Sequence, residues 1–187
     1  YFDTSPFYCG GMSQAILVDA FSGRTEPHML ATKIGHFALP ARFRSPDALR
    51  TQFEEGLRLL RRKSVDVLQV HESDWHAWWS DEASEGRVLD MEADYDFADA
   101  PILHVLREAK AEGLCRFVGI SGNSADPLAR VLDNVEVDTC LSACHYDVVG
   151  REARDRVKPM VKERGLALML GQVFLNGKLA EVRPEWV

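Results

Sequence analysis

Asp3, Tyr8, Lys33 and His71 are the residue types that a proton-coupled hydride transfer requires. A carbonyl that gains a hydride at carbon must gain a proton at oxygen, so the protein has to offer a donor suited to neutral pH. Tyr8 is the candidate donor. A free tyrosine ionises at about 10 and is a poor base for the reverse step, whereas an ammonium buried beside it stabilises the phenolate and lowers that value. Lys33 is expected to play this part. A lysine alone in a dry pocket loses its proton, and Asp3 would hold it charged and in place. His71 is expected to orient the substrate oxygen or assist as the proton moves. Taken singly, each has a plainer explanation: a loop cap, a rim aromatic, a solvated strand-end charge and a satisfied core imidazole.

These four residues need a scaffold that brings the ends of several elements together. Short apolar runs rich in Val, Ile and Leu over 29–34, 65–70, 116–120, 137–143 and 166–170 read as strands buried on both faces. Helical patterns lie between them. Ser45 and Pro46 supply an N-cap and first-turn proline, and Leu49, Phe53, Leu57 and Leu60 recur along one face. Residues 101–113, stopped by Gly113, form a second helix, and 125–132 and 152–164 two more. Alternation of this kind predicts a parallel sheet. A doubly wound open sheet is the rival, but no G-x-G-x-x-G turn occurs anywhere in the chain. An α/β fold of the (β/α)8 barrel type is favoured, with the four residues converging at the C-terminal ends of its strands. About six β/α units can be counted where a closed barrel takes about 250 residues, so a partial barrel is expected, lacking the first and last units. It would leave two unpaired parallel edges.

The stretch from Tyr1 through Asp3, Thr4, Ser5, Pro6 and Tyr8 to Gly10, followed by Ser13 and Gln14, resembles the signature of the aldo-keto reductase family. Residues 29–35 with Lys33, 65–71 with His71, and 112–122 with Ser121 are similar to that family's next strands, in order. Independent accidents would not reproduce this order, which favours a catalytic over a structural part for Asp3, Tyr8, Lys33 and His71. The resemblance implies NADP or NAD as cofactor, with its carboxamide held by Ser121 and by Asn123, displaced by one because Gly122 intervenes. Leu141 and Ser142 stand where relatives usually carry glutamine. Residues 171–177 replace a Ser-Pro-Leu turn, and within them Gln172 and Phe174 are the implied cofactor contacts. Among family members the likeness runs to sugar 1-dehydrogenases of the L-galactose type, through residues 2–8, 141–146 and Pro184-Glu185-Trp186. Such enzymes oxidise an aldose at its anomeric carbon to a lactone. An aldehyde or ketone reductase is the alternative, and a diverged binding or regulatory paralogue a third reading.

The segment after His71 is long, about twenty-eight residues over 72–99, and connections of that length are commonly lids or binding loops. It carries Trp75, His76, Trp78 and Trp79 amid Asp74, Asp81, Glu82 and Glu85. Trp75, Trp78 and Trp79 are expected to overhang the site, since sugar C–H faces stack on indoles while hydroxyls bond to acids. Packing on the barrel rim is the competing expectation.

Composition narrows the partners. A net charge of −7 over 187 residues, with basic residues clustered only around Arg58, Arg61, Arg62 and Lys63, argues against nucleic acid. No long apolar run or secretory leader pattern is present, so no membrane role and a cytoplasmic location are expected. Cys9, Cys115, Cys140 and Cys144 lack framework or zinc-site spacing and read as reduced thiols, with no metal expected. Small-molecule sugar or carbonyl substrates are the expected partners; the oligomeric state is open.

Overall fold

A computed structural model describes residues 1–81 and 87–180. Among them, β1 (Phe2–Asp3), β2 (Leu30–Ile34), β3 (Val65–Val70), β4 (Cys115–Gly122), β5 (Thr139–Ala143) and β6 (Ala167–Gly171) form one sheet. Every neighbouring pair is parallel and the spatial order is the chain order. A parallel neighbour can be reached only by a crossover, and helices supply it: α1 (Ser13–Ala20), α2 (Pro46–Leu59), α3 (Pro101–Ala111), α4 (Ala125–Asn134), and the pair α5 (Glu152–Arg156) and α6 (Lys158–Glu163). The result is a curled half of a β/α barrel, with β1 and β6 at the two ends of the row.

Side chains alternate across each strand, so the sheet has two different faces. Ile34, Leu68, Val70, Val118, Ile120 and Cys140 pack outward on Leu49, Phe53, Ile102, Leu106, Leu128 and Leu132 of the helices. That layer is the core. Lys33, Gln69, Ser121 and Thr139 lie on the other face and are buried although polar. The concave side of the sheet is therefore lined for chemistry and its convex side for packing.

The helices begin where their signals place them. The Ser45 hydroxyl accepts a bond from the Ala48 N–H at 3.3 Å, and Pro46 opens α2 where its missing N–H costs nothing. Two elements depart from expectation. The helix expected over 152–164 is split, because Pro159 in the first turn of α6 has no N–H to bond back to Asp155. α1 had no legible apolar stripe, since its one buried residue is Gln14, whose amide donates to the Thr32 hydroxyl at 3.1 Å, while Ile16 faces solvent.

The described part of the 72–99 connection is a packed structure. It contains a 3₁₀ turn, His76–Trp78, and an antiparallel bridge between Trp75 and Val88, and it buries Leu89 and Phe97. Glu82, Glu85 and the Pro184-Glu185-Trp186 motif lie outside the described residues. Among the described residues, no helix is long and apolar enough to cross a membrane.

Candidate active site

A cavity of about 740 Å³ opens at the C-terminal ends of the strands. Asp3, Tyr8, Lys33 and His71 all line it, although 30 residues separate Asp3 from Lys33 along the chain and His71 lies a further strand on. Asp3 closes β1 and Lys33 sits in β2 beside it, so the sheet itself delivers the pair. The Lys33 ammonium donates to the Asp3 carboxylate and to the Thr4 carbonyl, the latter at 3.2 Å, and is 1% exposed. Burial drives both members of this pair toward neutrality, raising Asp3 and lowering Lys33, and their mutual attraction opposes it.

Tyr8 is carried on a short 3₁₀ turn, Tyr8–Gly11, whose flanks are tied by the hydroxyls of Thr4 and Ser13 at 2.8 Å. Lys33 Nζ lies 4.7 Å from the centre of the Tyr8 ring, over its face. This corrects the expected electrostatics. Tyr8 is pushed well above the ordinary phenol range, first by burial and then by the carboxylates of Asp3 and Glu72. The ammonium is paired with Asp3, whose carboxylate acts on the phenol in the same direction as desolvation, and desolvation prevails.

His71 follows β3, its Nδ1 3.0 Å from the Ser5 hydroxyl, its ring 5.3 Å from that of Tyr8 and nearly perpendicular. Burial, then His36 and Lys33, drive its pKa down to about 2, so the imidazole is neutral. Behind it Gly35 turns at φ +144°, and a Cβ there would lie 2.9 Å from that of His71. Only a glycine lets the β2 end pass so close.

Ser121 and Asn123 also line the cavity, after β4. The Ser121 hydroxyl donates to the Val70 carbonyl at 2.9 Å and accepts from the Glu72 N–H at 3.2 Å. Asn123 Nδ2 donates to Glu72 Oε1 at 2.5 Å. Gly122 is small because buried Asp74 lies against it: a Cβ would stand 3.0 Å from the Asp74 carboxyl carbon. Gln172 reaches the cavity and its Oε1 accepts from the Cys144 thiol at 3.1 Å. Phe174 does not belong to the wall and is 73% exposed.

The tryptophan expectation is corrected in two of three cases. Trp78 is 0% and Trp79 3% exposed, so neither offers a face to a ligand. Their indole N–H groups donate to backbone, Trp78 to the carbonyls of His71 and Glu72 and Trp79 to that of Ser73. Burying an indole with its N–H satisfied stabilises the loop, and this determined their position. Trp75 is half-buried, its ring 4.9 Å from that of His36.

Three residues in or beside the cavity were not singled out in the sequence. Glu72 places Oε2 at 2.8 Å from His36 Nε2, and His36 is stacked by Phe7 at 3.9 Å. Ser5 is 0% exposed. A signal existed for the first two: Glu72 directly follows His71, and His36 directly follows the obligate glycine. His36, Glu72, Cys144 and Gln172, each just beyond a strand, and Cys9 inside the Tyr8–Gly11 turn have positive φ between 53° and 67°. Strained non-glycine backbone gathers where function is concentrated.

Comparison with known proteins agrees with this architecture. The model of the aldo/keto reductase family matches residues 1–184. L-galactose dehydrogenase from Arabidopsis thaliana is 30% identical over 193 residues, covering 100% of this chain and 54% of the relative. D-threo-aldose 1-dehydrogenase from a Pseudomonas species is 26% identical, covering 99% and 58%. Among solved structures, a glycerol dehydrogenase from Gluconobacter oxydans superposes with a TM-score of 0.69 at 19% identity, over 98% of this chain and 52% of that one. An aldo/keto reductase from Klebsiella pneumoniae, in complex with NADP and acetate, gives 0.67 at 18% identity, over 94% and 53%. The chain thus spans little more than half the length of the curated relatives it matches.

Proposed function

The chain belongs to the aldo/keto reductase family, and from that premise we propose that it carries the proton-transfer half of an NAD(P)-dependent oxidoreductase acting at C1 of an aldose. The carrying observation is Tyr8: a half-buried phenol on the cavity wall, with the Lys33–Asp3 pair at its ring face and neutral His71 at right angles to it. The sugar enters from the two curated relatives named as galactose and aldose dehydrogenases.

The cavity suits a nicotinamide. Its volume lies in the range of about 300–1,000 Å³ usual for ligand pockets. Asn123 Oδ1 and Gln172 Nε2 have no bond among the described residues, giving an acceptor and a donor for a carboxamide, and Asp3 Oδ1 is a buried acceptor without a partner. The NADP complex of the Klebsiella pneumoniae structure supports a dinucleotide here. When bound, the nicotinamide supplies the carbon that takes or gives the hydride. Tyr8 then gives or takes the proton at the substrate oxygen, Lys33 and Asp3 stay charged beneath it, and His71 holds that oxygen by a hydrogen bond.

A second reading, reduction of an aldehyde or ketone, is favoured by the upward shift of Tyr8, which keeps the phenol protonated and ready to donate. Incubating the intact gene product with NAD⁺ or NADP⁺ and a panel of aldoses, and following reduced cofactor, tests the first reading. Turnover is expected with at least one aldose, and Tyr8→Phe should lower it by on the order of 10²–10⁴-fold. Silence with every aldose alongside turnover of aldehydes would favour the reductase; silence with both would overturn catalysis.

A further inference from the structure

We propose that Ser5 is a positioning residue that locks His71 in the tautomer protonated at Nε2, making the imidazole a hydrogen-bond donor to the cavity it lines. The inference rests on the reading of the cavity as a substrate site. Its structural basis is a short relay through a fully buried hydroxyl. Ser5 Oγ accepts the Phe7 N–H at 3.1 Å and stands 3.0 Å from His71 Nδ1. A hydroxyl has one proton to give, and among the described residues His71 Nδ1 is the partner of Ser5 Oγ that can receive it. Were Nδ1 itself protonated, the hydroxyl would accept twice and its own proton would be buried without an acceptor, an expensive arrangement at 0% exposure. With Ser5 donating to Nδ1, a neutral ring must carry its proton on Nε2.

The groups facing His71 agree with this direction. Lys33 and His36 both disfavour an imidazolium, and the rings of Tyr8 and His36 stand edge-on at 5.3 and 4.2 Å, offering no competing acceptor for Nδ1. Phe7 anchors the relay from the other side, because its N–H fixes the Ser5 oxygen and its ring stacks on His36. Substrate oxygen would thus meet an N–H whose orientation is set from behind, with no reorganisation at the moment of transfer.

Nitrogen-15 NMR of histidine-labelled protein near neutral pH reads the tautomer directly, with the His71 signals assigned by their loss in His71→Gln. Unvaried protein should show Nδ1 as a bare acceptor and Nε2 protonated; a protonated Nδ1 overturns the proposal, whether or not any variant folds. Ser5→Ala should give a mixture of tautomers, and Ser5→Thr should restore the single form. Persistence of the pure Nε2–H form in Ser5→Ala also overturns it. In turnover, Ser5→Ala should lower kcat by on the order of tenfold with cofactor affinity unchanged, and Ser5→Thr should recover it. A normal tautomer in a protein that turns over no sugar or aldehyde would count against the catalytic reading and leave the Ser5 lock standing.

Discussion

At the scale of residues, the cavity combines a phenol made weaker as an acid with an imidazole made harder to protonate. Burial and the nearby carboxylates keep Tyr8 a phenol above the usual range. The phenolate needed to oxidise an alcohol is then scarce at neutral pH, so the oxidation rate should climb with pH and reach no plateau below about 10. A pH profile of kcat that levels off near neutrality would show instead that Lys33 lowers Tyr8 as first expected. His71 makes a separate contribution to stability. Its pKa is about 2 in the native site, against an ordinary value of about 6.5. Between those pH values the unfolded chain binds a proton that the native chain does not, so the stability it gives falls as pH drops below about 6.5, by about 1.4 kcal/mol per pH unit. Urea midpoints at a pH of about 7.5 and about 5 should therefore differ less in His71→Gln than in the unvaried protein, and an equal difference in both would refute the buried neutral imidazole.

Among the elements, the connection after β3 changes meaning most. Its tryptophans invite a sugar-stacking interpretation because indoles amid carboxylates suit polyols. Trp78 and Trp79 are instead anchors, and Trp78 bears on Gly35 and on the His71 carbonyl, so the loop braces the site from below. Trp78→Ala should cost about 3–5 kcal/mol of stability, as large aromatic truncations in cores do. Chemical denaturation checks this, and a variant of native stability with a raised Michaelis constant for sugar would return Trp78 to the substrate surface. Splitting of the helix expected over 152–164 follows from Pro159, a signal present in the sequence itself. The missing stripe of α1 has a different cause: Gln14 is buried by a bond to Thr32 that no local pattern encodes.

For the whole molecule, one layer of helices covers one face of the sheet, and the four thiols sample it. Cys115 and Cys140 are buried in the core, their thiols pushed up to about 11 and about 12 by burial, while Cys9 is exposed at the cavity and Cys144 lies between. A thiol-specific chromogenic reagent should accordingly label Cys9 rapidly in native protein, Cys144 slowly, and all 4 cysteines only in denaturant. Rapid labelling of Cys115 or Cys140 would mean that the helical layer is not closed over the sheet.

The sequence by itself determined the strand–helix alternation, the parallel sheet and the identities of Asp3, Tyr8, Lys33 and His71, because apolar period, caps and motif order are local properties written in consecutive residues. Only the tertiary structure decided how those four influence one another. Whether Lys33 acts on Tyr8 or is committed to Asp3, whether Trp78 meets a sugar or the back of His71, and whether a serine fixes a histidine tautomer all depend on burial and on distances between strand ends. Those quantities arise from the curl of the whole sheet, since desolvation and Coulomb terms change with every neighbour brought within a few ångströms.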